Sequence, residues 1–160
     1  MAIYIEWEGI EGNVTAEGYA KHLAVDSFQF GVSRGISMET GNAVNRESTK
    51  PNYSEVVVSK PVDNSCTAIF AEASYGSVGK KLVVKFVQTG TDKVDEYMSY
   101  TLENCLVSSY SISGSAEGVP YESICISYTS IEVNYSDFDA TNAQASPQRV
   151  GYAIDKAMKK

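Results

Sequence analysis

The sequence predicts a mainly β fold: a single-domain β-barrel of two sheets, closed or nearly closed, with one flanking α-helix at about 63–75. Three observations carry that expectation. Apolar and polar residues alternate over most of the chain, the period of a half-buried strand. The two longest alternating runs change phase midway, as strands do at a bulge, a barrel corner or a crossing between sheets. Only SKPVDNSCTAIFAEASYG, 59–76, reads clearly as helix.

Taken in order, Ile3, Ile5 and Trp7 alternate with Tyr4, Glu6 and Glu8 and give a first strand. EGNVTAEGYAK is a polar loop. HLAVDSFQFGVSR, 22–34, is a long strand whose phase slips at Asp26–Ser27, predicting a bulge and a bend. GISMETGNAVNRESTKPN, 35–52, is a polar loop; loops of this length inside a compact domain are usually functional. SEVVVSK, 54–60, is a strand that Pro61 ends. The helix follows, with Asp63 or Asn64 as its cap. Cys66, Ile69, Phe70 and Ala73 form its apolar stripe, and Gly76 is placed to stop it in the left-handed region. KKLVVKFVQT (80–89) and VDEYMSYTLENC (94–105) read as a hairpin joined by GTDK. CLVSSYSIS, 105–113, is a further strand, and YESICISYTSIEVNY, 121–135, is the longest alternating run, slipping at Thr129–Ser130. After a loop at 136–149, VGYAIDK offers a last short strand. The sum is seven or eight strands.

Composition narrows the function. A chain of 160 residues is read as one domain, 1–160, able to bury roughly 70% of its unfolded surface without staples. The net charge of −7 argues against non-specific nucleic-acid binding and against an anionic membrane surface. No apolar run approaches the ~18 residues of a membrane span. MAIYIEWEGIEG reads as a strand, not a signal peptide, so the expected site of folding is the cytoplasm; any export uses a route without a cleaved signal. Cys66, Cys105 and Cys125 are odd in number and widely spaced; they read as small buried residues of a reducing compartment, a disulfide between two of them being the lesser reading.

Chemistry is thin. Every triad or Cys–His reading must use the single histidine, His22, and no nucleophile elbow surrounds any serine. GSVGKK, 76–81, has the wrong glycine spacing for a phosphate loop and runs helix-to-strand. DFDATN, 137–142, lacks the later ligands of a calcium loop, and no paired zinc-ligand spacing occurs. Asn13, Asn52 and Asn134 begin glycosylation-type triplets, which are read as chance matches. Neither metal nor cofactor is expected, and the chain is not expected to be an enzyme. Apolar and aromatic residues on more than one strand face, together with the long loop, fit a protein whose outer surfaces contact copies of itself.

Separated motifs in a fixed order resemble the haemolysin-coregulated protein (Hcp) family, the tube protein of type VI secretion. They are MAIYIxWxGIxG at 1–12, VDSFQFGVSR at 25–34, and Val58, Lys60, Asp63 and Ser65 leading into the helix. YxLxNxLVSSYSxSG from Tyr100 to Gly114, PxESIxIxY from Pro120 to Tyr128, and GYxID at 151–155 complete the pattern. Cys66 departs from it, where the family commonly has proline. The resemblance implies a phage tail-tube-like barrel that forms a homohexameric ring, with rings stacked into a hollow tube inside a contractile sheath, under a spike of the VgrG type. It also implies small effector proteins carried in the lumen, delivery rather than catalysis, and assembly in the cytoplasm followed by secretion from the cell. On that basis Met38, Asn45 and Arg46 are candidate ring-stacking or neighbour contacts, and Arg34, Lys60 and Asp63 candidate polar contacts near the subunit interface. Two rivals remain: a monomeric ligand-binding barrel of the lipocalin type, and an enzyme using His22 or a cysteine.

Overall fold

The computed structural model describes residues 1–41, 49–89, 94–137 and 147–160. Among them lie twelve strands and one helix: β1 (Ala2–Trp7), β2 (Leu23–Val25), β3 (Ser27–Gln29), β4 (Val32–Ser33), β5 (Asn52–Tyr53), β6 (Val56–Pro61), α1 (Cys66–Tyr75), β7 (Lys80–Thr89), β8 (Val94–Ser113), β9 (Tyr121–Ser127), β10 (Ser130–Tyr135), β11 (Gln148–Ala153) and β12 (Met158–Lys159). The expected GTDK turn, most of DFDATN and the middle of the 35–52 loop lie outside the described residues.

One antiparallel layer runs β12-β11-β10-β8-β7-β1-β2; a second runs β8-β9-β6-β3. The two share β8. Its first part pairs with β7 and β10, and from Leu106 onward it pairs with β9. The sequence suggests two strands here, broken at Cys105; the structure has one strand of 20 residues, bent where it changes layer. Asn104 supplies the bend with φ +55, a left-handed conformation that asparagine tolerates better than most residues. Gly79 lies against it: a Cβ there would fall 1.7 Å from Asn104 Oδ1.

Both phase slips are layer crossings. Residues up to Val25 pair with β1, whereas Ser27 onward pairs with β6. Likewise Tyr121–Ser127 pairs in the second layer and Ser130–Tyr135 in the first. The Asp26 amide donates to the Ser59 carbonyl at 2.8 Å across the first crossing. Strand pairing among the described residues leaves β12, β2 and β3 each with a single partner, so hydrogen bonding does not draw a closed ring.

The interior is filled. Val56, Val58, Ile69, Leu82, Val84, Leu102, Ile124 and Ile126 are essentially inaccessible, and Trp7, Leu23 and Val25 join them. Each such aliphatic side chain contributes about 1.5–3 kcal/mol on burial. All three cysteines are free thiols; Cys105 is buried, and Cys66 and Cys125 are half-buried.

The helix differs in detail from the sequence reading. Ser65 takes the N-cap position without a side-chain cap bond, while the Asp63 carboxylate accepts the Ser65 amide at 2.9 Å. Gly76 is extended, with φ −65, rather than left-handed. Ile69 alone is fully buried; Phe70 is 59% exposed, because a ten-residue helix lying on β8 presents only a narrow line to the sheet.

Candidate functional site

Alternation along β6 puts Val56, Val58 and Lys60 on the inner face, and along β9 it puts Glu122, Ile124 and Ile126 there. Lys60 and Glu122 are direct register partners. Both are buried, and the Lys60 ammonium lies 2.7 Å from Glu122 Oε2 and 2.9 Å from Asp63 Oδ1. It also donates to the Pro61 carbonyl at 3.2 Å. The Tyr110 hydroxyl donates to Glu122 Oε1 at 2.8 Å, and the Ser65 hydroxyl donates to Asp63. Burial works to raise the Asp63 pKa, but the hydrogen bonds from Ser65 and Lys60 outweigh it and hold the carboxyl below its ordinary range. Burial, then the bond to Glu122, pushes the Tyr110 phenol up. Cys66 Sγ sits 3.7 Å from the Tyr110 hydroxyl, and the Phe70 ring meets the Tyr110 ring edge-on. This cluster locks the start of α1 onto the second layer.

Lys60 and Asp63 are therefore brought together, with Glu122 as a third member that the sequence reading missed. An alternating strand carrying lysine in its apolar phase was the available signal. Both charges are satisfied inside the subunit. Arg34 is exposed just beyond β4, and Met38 is 88% exposed. Asn45 and Arg46 lie outside the described residues. The base of their loop is pinched: β4 pairs with β5, and the Gly35 amide donates to Thr49 Oγ1 at 2.7 Å.

A second feature is an apolar groove of about 390 Å³, lined by Phe30, Val32, Tyr53, Tyr100, Ile131, Val133, Val150, Gly151 and Tyr152, with Lys159 at its margin. Its origin is geometric. The core-facing side chains of β10 lose cover along the strand: Ile131 is 5% exposed, Val133 half-buried and Tyr135 41% exposed. Val150, the register partner of Val133, is 61% exposed. Stacked rings floor the groove, with Tyr53–Tyr152 centroids 5.3 Å apart and Phe30–Tyr53 centroids 6.3 Å apart. Burial, then the neighbouring Tyr152, raises the Tyr53 phenol.

His22 lies elsewhere. Its Nδ1 is 3.2 Å from the Ala20 carbonyl and its Nε2 is 3.3 Å from Lys85 Nζ, beside Glu6. The hydrogen bond and charge of Lys85 hold the Glu6 carboxyl below its usual range. No serine or cysteine is among these contacts. Among the described residues no group of three or more His, Cys, Asp or Glu is placed to hold a metal ion. Among the described residues no helix is long and apolar enough to cross a membrane.

The buried core side chains pack together between the layers, and the open apolar face lies on the outside. The fold is that of a β-rich chain of two joined sheets with one helix and an uncovered apolar face. A profile described as "Type VI secretion system effector, Hcp" matches residues 4–135. The chain belongs to the Hcp family of type VI secretion, whose members are structural and non-catalytic tube proteins. No curated protein sequence matches it. Among solved structures it is similar to a type six secretion system protein at 24% identity, with TM-score 0.91 and 99% of each chain covered. It is also similar to Hcp1 from Salmonella typhimurium at 18% identity, with TM-score 0.76 and 99% and 98% of the two chains covered. A type VI secretion system effector from Yersinia pestis aligns at 15% identity, with TM-score 0.75 and coverages of 95% and 99%. At these identities the likenesses establish the fold.

Proposed function

We propose that the chain, as one domain, forms six-membered rings that stack into the hollow inner tube of a type VI secretion machine. The tube carries small effector proteins in its lumen and is expelled with them. Its partners are further copies of itself, a spike of the VgrG type, the contractile sheath and the effectors. It assembles in the cytoplasm and leaves the cell through that machine. The observation that carries this reading is an apolar sheet face left uncovered on a chain of the Hcp family. A head-to-tail ring needs two different patches that meet as rotation closes the circle, and the uncovered face supplies one of them. The chain crossings at 25–27 and 127–130 tie the two layers together within each subunit. Arg34, Met38, Asn45 and Arg46 belong to the loop side that meets a neighbour or the next ring. Lys60 and Asp63 act on the interface indirectly, by fixing α1.

Native mass measurement with negative-stain imaging of the same sample tests the reading. A sixfold subunit mass with ring-shaped particles is expected. A monomer at every concentration would overturn it and return the ligand-binding barrel to consideration.

A further inference from the structure

The first layer ends in β1–β2 on one side and in β11–β12 on the other, and the two edges differ in charge. Residues 147–160 carry four cations, Arg149, Lys156, Lys159 and Lys160, against one carboxylate, Asp155. Residues 1–26 carry five carboxylates, Glu6, Glu8, Glu11, Glu17 and Asp26, against one cation, Lys21. This basic edge on a chain of net charge −7 lies beside the open apolar groove, with Lys159 in the groove wall.

We infer that the groove between β4–β5 and β10–β11 seats a second copy of this chain, which presents its acidic β1–β2 edge and the 8–22 connection. This inference rests on the tube reading and deepens it by assigning the faces that meet. The argument is complementarity. An apolar groove gains by desolvation against any apolar surface, so it does not choose a partner by itself. Its cationic margin does: opposite potentials orient the approaching subunit and exclude the like-with-like arrangement. A basic-to-basic, two-fold contact would oppose Lys156 and Lys159 to themselves. A basic-to-acidic contact is heterologous, and a heterologous contact is what closes a ring. The edges also need partners as strands, since β12 pairs with β11 alone. Some of the charge is already used within the subunit: Arg149 meets Glu132 at 3.0 Å, Lys160 meets Glu103 at 3.0 Å, and Glu6 meets Lys85 at 2.9 Å. Lys156 and Lys159 on one edge and Glu17 on the other are the exposed charges left to discriminate; Glu11 adds to them, since its own pair with Lys21, at 3.5 Å between two exposed side chains, is a weak surface contact.

The test is charge exchange in the full chain, followed by sedimentation velocity at low and moderate salt. Lys156→Glu with Lys159→Glu, or Glu11→Lys with Glu17→Lys, is expected to raise the concentration needed for assembly by at least about tenfold. The four substitutions combined are expected to restore assembly. Added salt weakens wild-type assembly and relieves the reversed variants. Val150→Asp, at an exposed groove position that leaves the core alone, is expected to abolish assembly while retaining the folded subunit's circular dichroism. Rings that are insensitive to both charge reversals, or a combined variant no better than either parent, overturn this inference and leave the tube reading standing. A wild-type protein that never assembles overturns both. Should a reversed variant fail to fold, the combined variant and Val150→Asp still decide the matter.

Discussion

Replacing Lys60 with methionine keeps the side chain's length and removes the one cation that, among the described residues, faces both buried carboxylates. Asp63 Oδ1 and Glu122 Oε2 then stay in place without the ammonium now 2.9 and 2.7 Å away. Breaking a buried ion pair from one side costs about 3–5 kcal/mol. Here Tyr110 and Ser65 still donate to the two carboxylates, so the expected loss sits at the lower end, about 3 kcal/mol, against a total of about 5–15 for an ordinary domain. Urea unfolding at one fixed subunit concentration measures it, since assembly itself adds to apparent stability. The pH dependence supplies a second reading. In the wild type the Asp63 pKa is lowered on folding, so its contribution is fully present above the ordinary carboxylate value of about 4 and is lost as pH falls through the lower folded value. In the variant the stranded Asp63 carboxylate loses the Lys60 hydrogen bond and charge that lower its pKa, so the deficit relative to wild type narrows in acid. Adding Glu122→Gln, which can still accept from Tyr110, is expected to recover at least half of the loss at neutral pH. A deficit below about 1 kcal/mol at pH 7, or one that does not narrow in acid, would show that the cluster is solvated and that the geometric argument fails.

Gly12→Ala is expected to cost about 1–3 kcal/mol in thermal unfolding, because its Cβ would fall 2.3 Å from the His22 carbonyl oxygen, a backbone atom with nowhere to go; an unchanged melting curve refutes the crowding. Burial, with Glu103 nearby, pushes the Cys105 thiol up to about 12, so at pH 8 a maleimide should modify half-buried Cys66 and Cys125 first and reach Cys105 only on unfolding. Early labelling of Cys105 in the peptide map contradicts this. Met38→Asp is expected to leave the ring mass intact and to shorten stacks under the electron microscope; loss of the folded subunit itself would remove the loop from any stacking role.

Much of the fold was legible because the phase of alternation records which layer a strand faces. The slips at Asp26–Ser27 and Thr129–Ser130 mark the places where the chain leaves one layer for the other. The bend in β8 escaped for the converse reason. Asn104 and the register shift near Ser109 interrupt the alternation, and a bent strand looks like two strands in sequence. β12 was missed because two residues cannot show a period. The helix was placed within a few residues, yet Phe70 went to the wrong side: a stripe at helical spacing states which residues share a face and says nothing of how wide a face the sheet can receive. At the candidate site the same logic divides the outcome. Lys60 and Asp63 were singled out, but Glu122 lies far along the chain and becomes their partner only through the pairing of β6 with β9. The groove was invisible, since it exists only where one layer outruns the other.

That mismatch between layers has a thermodynamic consequence. Seven strands stand in the layer from β12 to β2 and four in the layer from β8 to β3, with β8 counted in both. The smaller layer and α1 seal Leu102, Ile124 and Ile126, but the cover thins along β10 from Ile131 to Tyr135, and Val150 is left 61% exposed. Burying apolar surface of this kind is worth about 25 cal/mol per Å², so a subunit that gains cover by association is stabilised by mass action. A hundredfold excess of free partner sites over the dissociation constant adds about 2.7 kcal/mol. The melting temperature of the purified protein should therefore rise with concentration, and the rise should vanish in Val150→Asp. For a chain near this length, about 2.7 kcal/mol corresponds to roughly 5–10 °C, well within the resolution of a calorimeter. A melting temperature independent of concentration, under conditions where sedimentation shows assembly forming and dissociating, would mean that the uncovered face of β10 and β11 costs the isolated subunit nothing.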